Sequence, residues 1–444
     1  MKLNYRRTFL VGLAFLSISA FWQMYDGVIP KILTGTFGIG ETVSGAIMAA
    51  DNVLALFLLP FFGSLSDKCN TKIGRRMPFV TYGTIGAVLL MLVLPLLDNS
   101  YAAAAAPWKL TAFIAVLGVL LFTMGIYRSP AVALMPDVTP KPLRSKGNAV
   151  INLMGAAGGI LYLIISSVLY SKKRIGNVEH VDYFLLFAIV AGIMAVAVFI
   201  LRLTINEPKL VAEAKQYGAE DDVEEIPHNA VWQKGRLPTP VLISLIFLLA
   251  SVFLWFFGYN GITTWFTTFA ERAWGMELGD ASLCLTIATG GAIVSYIPIG
   301  HLSARIGRKK CILLGAALLA LCFASAFVYT LFADSFSPAL YGIFVLIGFS
   351  WAAINVNSLP MVVEMCHLSD VGKFTGYYYT FSMAAQTITP IAAGALLENV
   401  SYKVLFLYSA LFVAASFVTM LFVKHGDTVT EKKGSLLENF DVED

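Results

Sequence analysis

Twelve runs of about twenty apolar residues, separated by short polar turns, limit what this chain can fold into more than any other feature. By number they are 8–32, 42–65, 78–97, 110–135, 148–171, 183–205, 240–269, 281–302, 311–332, 339–363, 375–397 and 403–423. The hydrocarbon core of a bilayer is about 30 Å thick, and a helix crosses it in about 20 residues at 1.5 Å each. Backbone N–H and C=O groups in lipid must be satisfied within the protein, so only helices and closed barrels span it. Barrel strands alternate in segments of about ten residues, and these runs do not. The expectation is an all-α membrane protein with twelve transmembrane helices. Composition agrees, since only 13% of the residues are charged and 58% are hydrophobic, against about 25% charged in a soluble domain.

Basic residues orient the spans. With the N-terminus in the cytoplasm, 23 Lys and Arg fall on cytoplasmic segments and seven on outer ones, the asymmetry expected of a cell-membrane protein with both termini inside. Lys172-Lys173-Arg174 on the outer side is the exception. Tyr5-Arg6-Arg7 looks like a twin-arginine export signal, but the apolar run after it outlasts a signal core of about 7–15 residues. It reads as the flank of a retained helix. The polar stretch 206–239, with its acidic run Glu220 to Glu225, divides a half at 1–205 from a half at 240–423, and 424–444 forms an acidic tail. Five scattered cysteines without a Cys-x-x-Cys spacing suggest neither a disulfide framework nor a metal site. Five histidines, all in turns or at helix ends, assemble no catalytic set, so no enzyme is expected and no cofactor. No basic face remains for nucleic acid; the expected partners are lipid and a small solute, with the chain a monomer.

The two halves share a motif. Gly63-Ser64-Leu65-Ser66-Asp67 leads into a basic turn, Lys72-Ile73-Gly74-Arg75-Arg76, and Gly300-His301-Leu302-Ser303 leads into Arg305-Ile306-Gly307-Arg308-Lys309-Lys310. Each turn lies between the second and third spans of its half. This pattern resembles the major facilitator superfamily, over nearly the whole chain, and implies two pseudo-symmetric six-helix halves working by alternating access. The first copy, followed by Pro78-Phe79, resembles most the sucrose:proton symporters and the related glycoside–pentoside–hexuronide:cation symporters.

Ionisable residues within membrane spans are costly and therefore candidates for function. Asp51, in the second span beside Asn52, is the leading proton carrier; the competing reading is a fixed ion pair with Arg128 of the fourth span. Asp26 lies in Trp22-Gln23-Met24-Tyr25-Asp26. That mixture of ring, amide and acid suits a sugar, whose CH faces pack on rings while its hydroxyls pair with polar groups. An interfacial aromatic belt is the plainer alternative. Tyr259 and Asn260 in the seventh span, Asn355 and Asn357 in the tenth, and Gln386 in the eleventh are further substrate candidates, with helix-to-helix hydrogen bonds as their alternative use.

Asp137 and Glu364 close the fourth and tenth spans. One reading makes them a cytoplasmic gate, Asp137 pairing with Arg75 or Arg76 and Glu364 with Arg308, with Gly63 and Asp67 at the exit of the second span. The other rests on the resemblance: Ala133-Leu134-Met135-Pro136-Asp137 is similar to the apolar run ending in Asp that sucrose symporters use for proton coupling, and Arg144 with Asn148 to the Arg and Ala-Asn-Ala beyond that run. In those symporters an Arg directly precedes the run; here Arg128 stands nine residues before Asp137, and Gly147 replaces an Ala. The melibiose branch implies a sodium-binding acid where this chain has Leu59, which favours a proton over sodium. The resulting expectation is proton-coupled symport of a sugar or glycoside, a disaccharide such as sucrose or maltose. The alternative is a proton-coupled exporter of apolar or cationic compounds.

Overall fold

The computed structural model describes residues 4–140, 144–175, 178, 180–218, 238–365 and 371–427. Among them there is no strand, only an isolated bridge between Thr71 and Gly74, and twelve helices are long and apolar enough to cross a membrane. The chain forms two compact units, one of residues 1–221 with 276–286, the other of 222–275 with 287–443.

The first unit contains α1 (Tyr5–Lys31), which runs on through a π-helical turn at Ile32–Thr36, then α2 (Glu41–Lys68), α3 (Met77–Ala103), α4 (Pro107–Val138) and α5 (Arg144–Leu169). A single turn, α6 (Lys172–Ile175), precedes α7 (Phe184–Thr204) and the polar α8 (Glu207–Gly218). The second unit contains α9 (Thr239–Trp274), α10 (Leu278–Ile306) from residue 287 onward, α11 (Arg308–Phe332), α12 (Leu340–Val363), α13 (Val371–Asn399) and α14 (Leu405–Leu421).

Local chemistry sets the helix ends. The Asn4 side chain accepts from the Arg7 N–H at 3.1 Å and so caps α1. Proline stands in the first turn of α3, α4 and α9, where the missing N–H had no helical partner to lose. Inside α1, Pro30 lacks the N–H that would bond the Asp26 carbonyl in an α-helical register.

Lipid supplies no hydrophobic drive between helices, so close packing and buried hydrogen bonds hold the units together. At α1 and α5 the approach is so tight that a Cβ on Gly158 would sit 2.0 Å from the Leu16 carbonyl oxygen. The obstacle is backbone and cannot swing away. Gly158→Val is therefore expected to cost about 3 kcal/mol or more, seen as loss of the monodisperse peak on size exclusion in detergent. A polar clasp ties α4 to α1: the Tyr127 hydroxyl meets the Ser17 hydroxyl at 2.5 Å and donates to the Ala14 carbonyl at 3.0 Å. In the second unit the Trp265 indole donates to the Pro390 carbonyl and the Tyr408 hydroxyl to the Phe257 carbonyl. Large apolar side chains such as Phe57, Tyr82, Val294 and Phe332 lie on the exposed surface, as suits contact with lipid.

The expected linker is partly helix. Residues 207–218 form α8, whose Glu207 is buried and whose Glu213 pairs with Arg7 at 3.3 Å. A buried carboxylate needs partners, and those of Glu207 lie at the first basic turn. The acidic run at 220–225 and the tail beyond 427 lie outside the described residues.

Candidate functional site

Within the first unit, α1, α2 and α4 bring together Trp22, Asp51 and Arg128. These line a narrow cleft with room for little more than a water molecule, whose remaining wall is apolar, including Leu54, Leu58, Leu121 and Met124. The Arg128 guanidinium lies 5.5 Å from the centre of the Trp22 ring, within cation–π range. Arg128 acts electrostatically on Asp51, and Asp51 on Asp26. Two carboxylates and one guanidinium thus form a linked group. With both acids ionised, one negative charge is left over, and a single proton cancels it.

Asn52 serves its neighbour. Its N–H and side-chain amide both donate to Asp51 Oδ1, at 2.6 and 2.8 Å. Tyr25 is fully buried, and its hydroxyl donates to the Met48 carbonyl of α2 at 3.3 Å. Gln23 faces α5, its side-chain oxygen near the empty side of Gly159. The Trp22 indole N–H is buried with no hydrogen-bond partner among the described residues.

In the second unit Tyr259 lies flat on Trp351, ring centres 3.8 Å apart and 4° from parallel. Phe256 meets the same indole edge-on at 5.3 Å. The Asn260 side-chain nitrogen is buried without a hydrogen-bond partner among the described residues, as is the Trp255 indole N–H. Asn355 and Gln386 are half-buried. Asn357 is engaged: its oxygen accepts from the Ser303 hydroxyl and its nitrogen donates to the Ala353 carbonyl at 2.8 Å. Helix-to-helix bonding is the use the structure finds for that amide.

The basic turns are tied down by acids in each unit. Asp137 Oδ1 lies 2.6 Å from Arg75, while Oδ2 takes Arg76 at 2.9 Å and Arg75 at 3.2 Å. Arg76 also pairs with Asp67 and donates to the Gly63 carbonyl at 3.1 Å. In the second unit Arg308 pairs with Glu364.

Two further acids carry these turns. Glu207 accepts from the backbone N–H groups of Arg75, Arg76 and Met77 at 2.8, 2.9 and 2.9 Å, covering donors that α3 leaves unmet at its N-terminus. Gly74, at φ +117°, leaves the space the carboxylate fills, since a Cβ there would lie 2.1 Å from Glu207 Oε2. Asp427 accepts from the Lys309 N–H at 3.1 Å in the corresponding place of the second unit. Sequence reasoning assigned these two acids to the linker and the tail. The available signal was an acid a few residues past the last helix of each half, facing a Gly in a basic turn.

Twelve membrane-spanning helices, with two acids and a guanidinium held among them and acid-latched basic turns, define an integral membrane transporter. A sequence profile described as Major Facilitator Superfamily matches residues 11–279 and 271–439, and the chain belongs to that family. It is 29% identical over 155 residues to the proton-associated sugar transporter A of Mus musculus, a match covering 34% of this chain and 20% of that protein. Similarity to the sucrose transport protein SUC3 of Arabidopsis thaliana is 28% over 138 residues, covering 28% of this chain and 23% of that one. The isoprimeverose transporter of Lactiplantibacillus pentosus is 20% identical over 318 residues, 70% of this chain and 60% of the relative. The chain thus matches less than two thirds of the length of each of these relatives. Among solved structures, the xylose transporter XylE from E. coli superposes with a TM-score of 0.64 at 14% identity, covering 98% of both chains. A bacterial homologue of the iron transporter ferroportin gives 0.69 at 13% identity, over 95% of this chain and 99% of that one. At these identities the two structures speak for the fold alone.

Proposed function

We propose that this transporter carries a sugar or glycoside, of disaccharide size, into the cell together with a proton, by alternating access in the plasma membrane with both termini cytoplasmic. The observation that carries the reading is the group Asp26, Asp51 and Arg128, two acids against one cation beside the Trp22 ring, which bears one surplus negative charge when both acids are ionised. Proton arrival neutralises that charge, and the ring with the polar groups of α1 receives the sugar. A ligand shifts a conformational equilibrium only by binding one state better than the other. Here proton and sugar together favour the closed form, and neither does so enough alone. The Arg75/Arg76–Asp137 and Arg308–Glu364 pairs hold the cytoplasmic ends of their own units until that binding energy is supplied. The sugar-named relatives support this substrate class, and Leu59 in place of an acid supports a proton over sodium.

The test is counterflow in proteoliposomes preloaded with a mixture of disaccharides, with and without an imposed pH gradient. One labelled disaccharide should enter uphill only when the outside is acidic, regardless of sodium. No sugar counterflow under any gradient would overturn the reading in favour of an exporter of apolar or cationic compounds. Trp22→Ala is expected to weaken binding of the transported sugar about tenfold, the order of about 1.4 kcal/mol for a lost ring face, with Trp22→Phe losing less; a half-saturation series in counterflow measures both.

A further inference from the structure

At the end of the first unit opposite its basic turn, α3 carries Asp98, which is completely buried. Neither of its carboxylate oxygens has a hydrogen-bond partner among the described residues. An ionised carboxylate in such a place is costly unless a cation stands beside it. The nearest candidate is His180, in the segment before α7, whose Nε2 lies 3.7 Å from Asp98 Oδ2. Its side chain is 27% exposed, so it reaches solvent where Asp98 does not.

The tautomer of His180 is set by its neighbours. Asp182 Oδ1 accepts from the Phe184 N–H at 2.8 Å and from Asn99 Nδ2 at 2.7 Å. That orients the Asn99 oxygen toward His180 Nε2, 2.8 Å away. Nε2 therefore carries a hydrogen, and Nδ1 is where a second proton binds. Among the described residues, several other titratable groups at this end are engaged elsewhere. The Lys109 ammonium donates to the Ser100 and Ala104 carbonyls at 2.8 and 2.7 Å, and the Tyr170 hydroxyl to the Asp182 carbonyl at 2.9 Å. Tyr101 packs its ring on Phe37, Lys31 is buried in the last turn of α1 with a partner of its own, and Arg174 donates to the Val168 carbonyl at 3.3 Å. Asp182 acts electrostatically on Asp98, and the Thr36 hydroxyl lies close to it without completing a hydrogen bond.

We propose that Asp98 and His180 form a second proton-binding site, separate from Asp51, in which a proton taken up on His180 Nδ1 creates the cation that holds Asp98 as a carboxylate. The resulting ion pair fastens the segment before α7 onto the end of α3. With the basic turns in the cytoplasm this end faces outward, so the fastening forms when the outside is acidic, the condition that drives proton-coupled uptake. No knowledge of the substrate is needed to test it.

Imidazole is the side chain whose ordinary titration falls between pH 5 and 8. A cation formed beside an anion stabilises the fold at acid pH, and that stability is lost as pH rises. The experiment is thermal unfolding in detergent of the full chain, His180→Gln, Asp98→Asn and the double variant, at pH 5.5 and pH 8.0. The expected coupling between the two substitutions is about 3–5 °C at pH 5.5 and near zero at pH 8.0. Additive effects at both pH values, or equal coupling at both, would overturn the proposal. Should Asp98→Asn fail to fold, His180→Gln alone decides it, because its deficit must be larger at pH 5.5 than at pH 8.0.

Discussion

Replacing Asp51 by Asn is expected to abolish uphill accumulation while leaving substrate exchange intact. For symport of one proton per sugar, a gradient of one pH unit stores about 1.36 kcal/mol, which supports about tenfold accumulation. The wild-type chain should approach that ratio, and Asp51→Asn should stay near unity. The charge arithmetic explains why exchange survives. With Asp51 replaced by Asn, the group has no surplus negative charge for a proton to cancel, and the carrier still cycles. Asp26→Asn should uncouple by the same argument, leaving Asp51 against Arg128. If Asp51 and Arg128 were a fixed structural pair instead, breaking it would leave a buried cation uncompensated, at about 3–5 kcal/mol. Asp51→Asn would then lose folded protein and exchange together. Labelled-sugar accumulation and counterflow on the same proteoliposomes distinguish these outcomes, and uphill accumulation surviving both Asp51→Asn and Asp137→Asn would sink the proton-coupling reading.

How far the sequence reveals the site depends on how local each cause is. The spans are legible because a membrane helix satisfies its own backbone, so length and apolarity suffice. The turns are legible because they recur, and a basic Gly-containing turn reports its place in each half. Asp51 and Arg128 stand out because a charge in an apolar run has few structural uses. Amides do not separate in this way. Asn357 and Asn260 occur in similar apolar helices, yet Asn357 is spent on Ser303 and Ala353 while the Asn260 nitrogen has no partner among the described residues. That difference is set by which helix packs alongside. Glu207 and Asp427 are further from view, since their partners lie 132 and 118 residues away, and a polar stretch after a span looks the same whether it folds back or not. Asp98 and His180 share this reason: each stands at a helix end or in a turn, and only the packing of α3 against the segment before α7 places them 3.7 Å apart.

Glu207→Ala is expected to be among the most destabilising single changes outside the spans. The carboxylate is buried and accepts from three successive backbone N–H groups at the start of α3. Those donors have no helical partner, and the helix dipole adds partial positive charge where the carboxylate sits. Each buried donor left unmet costs about 1–3 kcal/mol, so the loss is about 1–3 kcal/mol even if water reaches two of the three. Detergent unfolding should register that as a fall of about 1–6 °C. Glu207→Gln keeps one acceptor oxygen and the shape but not the charge, and is expected to lose about half as much. Asp427 supplies the internal comparison. It is exposed and, among the described residues, accepts from the Lys309 backbone N–H, so Asp427→Ala should cost about 1 kcal/mol or less. Equal losses at the two positions would mean that the charge near the arginines matters and the capping of α3 does not. A large loss confined to Glu207 would make the start of the inter-half segment part of the first unit's fold, bracing the turn whose arginines hold Asp137.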